Sequence, residues 1–565
     1  MSDPQLSPGL SGTHRSGRAH HTGRGLVPSL MWPEGHMPAA ATPAAWAADL
    51  GLDDLARALS DDGRYFPFIR NTLAALCVDP AVITWRQAVL ADFRRNPDMA
   101  AGLEALLPAL ADLRQNHALL GGQRRSVLLE TADRLAELDL YLDVVQRLGA
   151  VLGAANLSAP ALRGLRDHLV ATIADPEFQA LREELPALRA PLQNLASLTI
   201  GINLDLQLQP ISAVLLAIND HPVGEARSFL DRLLGPRAVA EDESGIAPLH
   251  FTPENPDHRP LSPLFQDLEK IIAQTAQPVI RALNRYVRVS SAPLAPLEHE
   301  VAFYTSATAF IQRLEARGVP FCAPRIAPIS ARISQIAGLH NVMLCVRQPE
   351  LPVANDVQFN SEGRIAVLTG PNSGGKTTYV QAVGLAQVLF QAGLWVPARA
   401  AEISPVDAIF THFPQLETQQ QGRLAEEAAR LRSIFLAASA HSLVLMNETL
   451  SSTTASEALY LAQDLLAALR AIGVRAIYAT HLIELAEHIA EIEASIPGES
   501  RVYSLVAGVA FDGDGQARPT FQIARGMPLG RGYAQEIARR HGISLSQILE
   551  ARGVRSLTDG TGGDT

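Results

Sequence analysis

Lysine is almost missing from this 565-residue chain: Lys270 and Lys376 are the only two, and arginine supplies every other basic side chain. Each surviving lysine therefore asks for a chemical reason. Cysteine is scarce as well. Cys77, Cys322 and Cys345 are far apart, odd in number and without metal-ligand spacing, so no disulfide framework or zinc site is expected. They read as small buried apolar residues of a reducing cytoplasm. Net positive charge is also lacking. At -11 the chain offers no global basic field, and any nucleic-acid site has to be a local patch on an acidic body. No apolar run is long enough to span a membrane, because the longest, 382–398, is interrupted by Gln387 and Gln391. No signal peptide is visible: residues 1–30 are rich in Gly, Ser, His and Arg, and Met31 and Met37 are alternative starts. Segment 1–42 is read as disordered.

What is present is a chain 47% apolar, rich in Ala and Leu, with mean hydropathy +0.08, long enough for roughly two to four domains. Apolar residues at three- and four-residue spacing, such as Leu103, Leu106, Leu107, Leu110 and Leu113, predict helices over 53–192, with breaks at Asp79-Pro80, Gly121-Gly122, Ala159-Pro160 and Asp175-Pro176. Two β-like runs separated by a turn containing Pro210 predict a hairpin near 197–218. A loop rich in Pro, Asp and Glu over 235–263 leads into a helical stretch over 264–317, broken near 290–297. From 336 strands and helices alternate. The expected fold class is α plus α/β: a helical core or lever, 43–335, with a β insertion, followed by a P-loop α/β domain, 336–530.

The strongest motif is Gly370-Pro371-Asn372-Ser373-Gly374-Gly375-Lys376-Thr377-Thr378, set between a buried strand, 364–369, and a helix, 376–391. Glycines let backbone N–H groups approach phosphate oxygens, the helix N-terminus favours the anion, Lys376 adds charge at the β/γ-phosphates, and Thr377 offers a hydroxyl to Mg2+. ATP with Mg2+ is the implied ligand. Further on, the apolar run 442–446 ends in Asn447-Glu448, the layout of a Walker B segment with Asn447 where aspartate normally holds the magnesium shell. Glu448 is placed to orient or deprotonate a water. A third strand, 475–479, ends in Thr480-His481 at the same expected sheet edge, putting His481 near the γ-phosphate. The loop 449–454 is hydroxyl-rich, and is either a contact with an opposite subunit or a solvent-facing turn.

These motifs, with Val396-Pro397-Ala398, Asp407-Ala408-Ile409-Phe410-Thr411 and Val353-Ala354-Asn355-Asp356, resemble the ATPase domain of the MutS family of mismatch-repair proteins. Weaker likeness extends to Ile83-Thr84-Trp85-Arg86-Gln87-Ala88-Val89 at the start of a helical core and to Gly532-Tyr533-Ala534 in a helical dimerisation segment, 531–553, before a flexible tail, 554–565. The resemblance implies an ABC-type homodimer in which each ATP lies between one P-loop and the other chain's signature segment, here starting at Gly422-Arg423. This chain has Leu424-Ala425 where the family has Ser-Thr, so with Asn447 two parts of the hydrolytic machinery differ and hydrolysis is expected to be slow.

The resemblance also implies an ATP-dependent clamp or switch on double-stranded or branched DNA. About 75 residues precede the helical core, too few for the family's mismatch-wedge and connector domains, so mismatch recognition in its usual form is not expected. DNA contact would fall to the hairpin and to Arg281, Arg285 and Arg288, whose spacing puts them on one helical face; the same stripe also fits a solvated surface. The alternative function is a nucleotide-gated protein-interaction switch with little DNA affinity.

Overall fold

A computed structural model describes residues 27–36, 45–119, 127–193, 197–204, 206, 210–219, 277–286, 289–414, 423–451, 453–511, 517–528 and 542–552. The predicted loop over 235–263, Gly422, Arg288, the start of the dimerisation segment and the tail lie outside these residues.

The first part is helical. Three helices, Pro80–Arg95, Pro160–Ala174 and Pro176–Gln193, open on the prolines that the sequence marks as breaks, and a fourth, Pro97–Glu104, opens on a proline that it does not. Proline at the first helical position gives up an N–H that has no intrahelical partner, so each break is also a start. Asp79 caps the first of them by accepting from the Ala81 N–H at 2.8 Å. The helix Leu297–Glu315 runs through the middle, buried along most of its length, and packs on Pro80–Arg95, Pro97–Glu104 and Leu107–Leu119. Strands β1, Ser197–Leu204, and β2, Pro210–Asn219, form an antiparallel hairpin in which Ser197 faces Asn219 and Pro210 already pairs with Leu204.

Two expectations need correction here. Residues 27–36 fall within the segment read as disordered, yet they are packed into the helical part. Leu30 and Met31 are buried, the Glu300 carboxylate accepts from Ser29 Oγ and the Leu30 N–H, each at 2.6 Å, Tyr304 donates to the Leu30 carbonyl at 3.0 Å, and Arg86 donates to the Met31 carbonyl at 3.1 Å. A composition typical of linkers hides two apolar anchors whose partners lie far away in sequence. The β-rich part also begins before 336: β3, Arg325–Ile326, pairs with β7, Ala400–Ile403, and β4 spans Ser334–Leu339.

Strands β3, β7, β4 and β5 (Asn355–Phe359) make a four-stranded sheet in that order. The main sheet has six strands in the order β12-β11-β6-β10-β9-β8, where β6 is Ile365–Thr369, β8 Ile409–His412, β9 Leu443–Asn447, β10 Arg475–Ala479, β11 Val502–Phe511 and β12 Ala517–Arg525. All neighbours are parallel except β11 with β12. A parallel sheet covered on both faces has continuously apolar strands, and every residue of β6, β9 and β10 is buried. Arg475 is the exception in chemistry: its guanidinium donates to the carbonyls of Ile333, Ser404 and Pro405 and ties the two sheets together, and burial pushes its pKa down to about 9.

The helix Lys376–Gln391 packs behind β9 and β10 and against the helical part. A Cβ on Gly384 would lie 2.6 Å from Leu50 Cδ1 and 2.9 Å from Leu445 Cδ1, so a larger residue there would make these leucine side chains shift. The glutamines that interrupt the apolar run are buried and bonded: Gln387 donates to the Ser404 carbonyl at 3.1 Å, and Gln391 to those of Cys77 at 3.1 Å and Val406 at 2.9 Å. No helix among the described residues is long and apolar enough to cross a membrane.

Candidate functional site

The parallel strands β6, β10 and β9 all end at one edge of the sheet, where the chain turns out and leaves polar groups facing a common space. From β6 the loop at Gly370 takes φ 143°, Ser373 takes φ 66° and Gly375, capping the next helix, takes φ 89°. A Cβ on Gly374 would stand 3.0 Å from the Pro371 carbonyl oxygen, so the loop closes tightly around a bare backbone. It borders a cavity of about 650 Å³ lined by the loop, Thr377, Tyr379, Glu448 and Phe521, and by Leu351 and Pro352 on the far side.

Lys376 is 5% exposed. Its Nζ donates to the carbonyls of Gly370 at 2.9 Å and Pro371 at 3.2 Å and lies 3.4 Å from Glu448 Oε1. Glu448 Oε2 in turn meets His481 Nδ1 at 2.8 Å. Thr377 Oγ1 donates to Asn447 Oδ1 at 3.1 Å. Five residues singled out in the sequence are thus brought within hydrogen-bonding or ion-pair reach in two short chains, Lys376–Glu448–His481 and Thr377–Asn447. Asn372 and Ser373 line the same cavity with the rest of the loop, and so does Thr378, whose carbonyl accepts from Asn341 Nδ2 at 2.8 Å.

Other predicted residues are not brought to this place. Arg423 opens the helix Arg423–Ala437, next to Gly422, which is outside the described residues. Arg281 and Arg285 are both exposed, opposite the buried Val279, Leu283 and Tyr286, but the helical stretch over 277–283 tightens into a 3-10 turn, Asn284–Tyr286, and Arg285 pairs with Glu184 at 2.8 Å. The hairpin Ser197–Asn219 has no Lys or Arg. The loop after Glu448 is not a uniformly solvent-facing turn. Thr449 and Leu450 are buried, and Thr454 caps the helix Ala455–Ile472 in a capping box with Glu457.

Phe521 was not singled out by the sequence. It sits on β12 at φ 58°, and its ring would be 3.4 Å from a Cβ on Gly375. The Asn355 side chain holds it there, donating to the Phe521 carbonyl at 3.0 Å and accepting from the Ile523 N–H at 2.6 Å. An aromatic in a chain only 5% aromatic was the one available signal.

The cradle fits a nucleotide triphosphate: it has bare glycine backbone, a helix N-terminus, one buried ammonium and an adjoining apolar wall with an aromatic ring. Two neutral oxygens, Thr377 Oγ1 and Asn447 Oδ1, together with Glu448, suit a hard divalent cation that keeps most of its water.

A strand–P-loop–helix flanked by parallel strands ending in Asn-Glu and Thr-His defines the P-loop class of α/β domains. Comparison with known families refines this. Residues 366–513 match MutS domain V, an ABC-type ATPase domain, and residues 78–317 match the MutS2 N-terminal domain. The chain belongs to the MutS family. It is 29% identical over 293 residues to the DNA mismatch repair protein MutS of Chlorobium phaeobacteroides, covering 51% of this chain and 30% of that protein. It is 34% identical over 210 residues to the Endonuclease MutS2 of Thermus thermophilus, covering 37% and 26%. The match to the MutS of Synechococcus sp. (strain WH7803) is longer, 28% over 391 residues, covering 67% and 41%. The chain thus spans well under half the length of these relatives.

Proposed function

We propose that this chain binds ATP with Mg2+ in the cavity beside Lys376, pairs as a homodimer across the sheet edge, and acts as an ATP-dependent switch on double-stranded or branched DNA, with slow hydrolysis. The observation that carries the reading is the convergence of Lys376, Thr377 and Glu448 on one 650 Å³ space, with Asn447 bonded to Thr377 and His481 to Glu448. Magnesium would supply charge neutralisation at the phosphates. The chain's own residues do the rest. The loop amides and Lys376 hold the phosphates, Thr377 and Asn447 orient the cation's water shell, Glu448 takes a proton from the attacking water, and His481 fixes the Glu448 carboxylate. The Phe521 ring supplies a face on which a purine stacks. An asparagine contributes no charge to the cation, so nucleotide binding is retained while turnover is slow.

The test is ATP turnover with and without duplex or branched DNA at low salt, alongside the molar mass in solution. A nucleotide-dependent dimer that binds DNA with strong salt dependence supports the reading; no DNA binding at low salt with ATP present sinks its DNA half. A second reading, a nucleotide-gated protein-interaction switch, is favoured by two observations: the hairpin is free of basic residues, and Arg285 is already paired with an acid.

A further inference from the structure

The turn that carries Glu448 is held in an unfavourable shape. Glu448 and Leu450 have φ of 51° and 65°, left-handed backbone at two non-glycine residues, with Thr449 between them. Such residues are unfavourable and persist only where surrounding contacts impose them.

The contacts are identifiable. The Glu448 N–H donates to the Ala479 carbonyl at 2.9 Å, the Tyr478 hydroxyl donates to the Thr449 carbonyl at 3.4 Å, and Leu450 is buried in the apolar layer beneath. The remaining one comes from a different strand: His412 Nδ1 and Thr449 Oγ1 form a hydrogen bond of 3.1 Å. His412 ends β8, paired with Met446 of β9, and is 2% exposed. Its Nε2 is buried without a partner among the described residues. A buried ring with one nitrogen unsatisfied is costly packing, so a role for the other nitrogen is the simpler account of its presence.

We propose that His412 is a positioning residue for the Glu448 carboxylate, acting through the hydroxyl of Thr449; this rests on the reading of Glu448 as the hydrolytic base. Glu448 has to reach Lys376 and His481 at once, at 3.4 and 2.8 Å, and a rotation of the turn breaks one contact or the other. The His412 bond is the one restraint among these that grips the side chain next to Glu448 and does so from outside β9 and β10. Releasing it lets Thr449 rotate and lets Glu448 relax out of its left-handed backbone.

The experiment compares Thr449→Val, His412→Phe, the double variant and His412→Asn, whose amide stands where Nδ1 stood. ATP turnover and thermal unfolding are measured for each. We expect Thr449→Val and His412→Phe each to lower kcat by about tenfold with KM within about twofold, since a base misplaced by a fraction of an ångström loses rate before it loses binding. The double variant should lose no more than either single change, and His412→Asn should recover most of the rate. Parental kcat in Thr449→Val, or additive losses in the double variant, overturns the proposal. Thr449→Val, nearly isosteric, carries the test where His412→Phe fails to fold. Parental turnover in Glu448→Gln would overturn the hydrolytic reading instead, and a parent without turnover overturns both.

Discussion

Replacing Glu448 with glutamine separates the two things this site does. The carboxylate lies 3.4 Å from the Lys376 ammonium, which is 5% exposed, while Glu448 is 23% exposed. At an effective dielectric constant of about 20 the gross attraction at that distance is about 5 kcal/mol. Much of it is offset by the desolvation of both groups, and about 1.4 kcal/mol is a reasonable remainder. A phosphate entering the cradle has to take Lys376 from Glu448 and then sit beside a negative carboxylate. Glutamine keeps the shape and removes both penalties. ATP should therefore bind about tenfold more tightly to Glu448→Gln than to the parent. Hydrolysis should fall by about 100-fold or more, because the amide cannot accept the water's proton. Titration calorimetry with ATP and Mg2+, beside a phosphate-release assay, reads both numbers. An unchanged or weaker Kd would refute the competition between Glu448 and phosphate for Lys376, and parental turnover would refute the base assignment.

Asn447→Asp should raise turnover severalfold in steady-state assays by returning a charge to the cation's water shell beside Thr377; no change would mean that the asparagine is neutral to hydrolysis. Leu30→Ala should cost about 2–5 kcal/mol of stability in denaturant unfolding, because the side chain is fully buried in a segment pinned by Glu300 and Tyr304. His412 should make the fold acid-sensitive. Burial, aided by Arg430 on the helix Arg423–Ala437, pushes its pKa down to about 4 from 6.5. The unfolded chain then binds the extra proton first as pH drops, so stability present above pH 6.5 is lost between about 6.5 and 4, by up to about 3 kcal/mol. The unfolding midpoint of the parent should fall relative to that of His412→Asn as pH drops across that range; parallel curves would contradict it.

The nucleotide cradle was legible in the sequence because its signal is local: a glycine-rich run between an apolar strand and a helix, with one of two lysines in the chain at the helix start. The strand ends at Asn447-Glu448 and Thr480-His481 were legible for the same reason, since parallel strands bring their carboxyl ends to one edge. What escaped depends on distant partners. Residues 27–36 look like a linker until Glu300 and Tyr304 are seen to hold them. Phe521 lies beside the P-loop with its backbone bonded to Asn355 on another sheet. At the arginine stripe the spacing did not reveal that the chain tightens into a 3-10 turn at Asn284 or that Arg285 is paired with Glu184, a partner distant in sequence. His412 carried no motif at all, and its partner Thr449 lies on the neighbouring strand's exit turn.

The most direct measurement is an ATP titration of the full chain and of Lys376→Ala with Mg2+ present and thermal unfolding recorded for both. The account predicts saturable binding to the parent and a loss of at least about 100-fold in the folded variant, as expected when a buried ammonium is removed from a phosphate site. Equal affinity in the two proteins, or no binding to the parent, would contradict it.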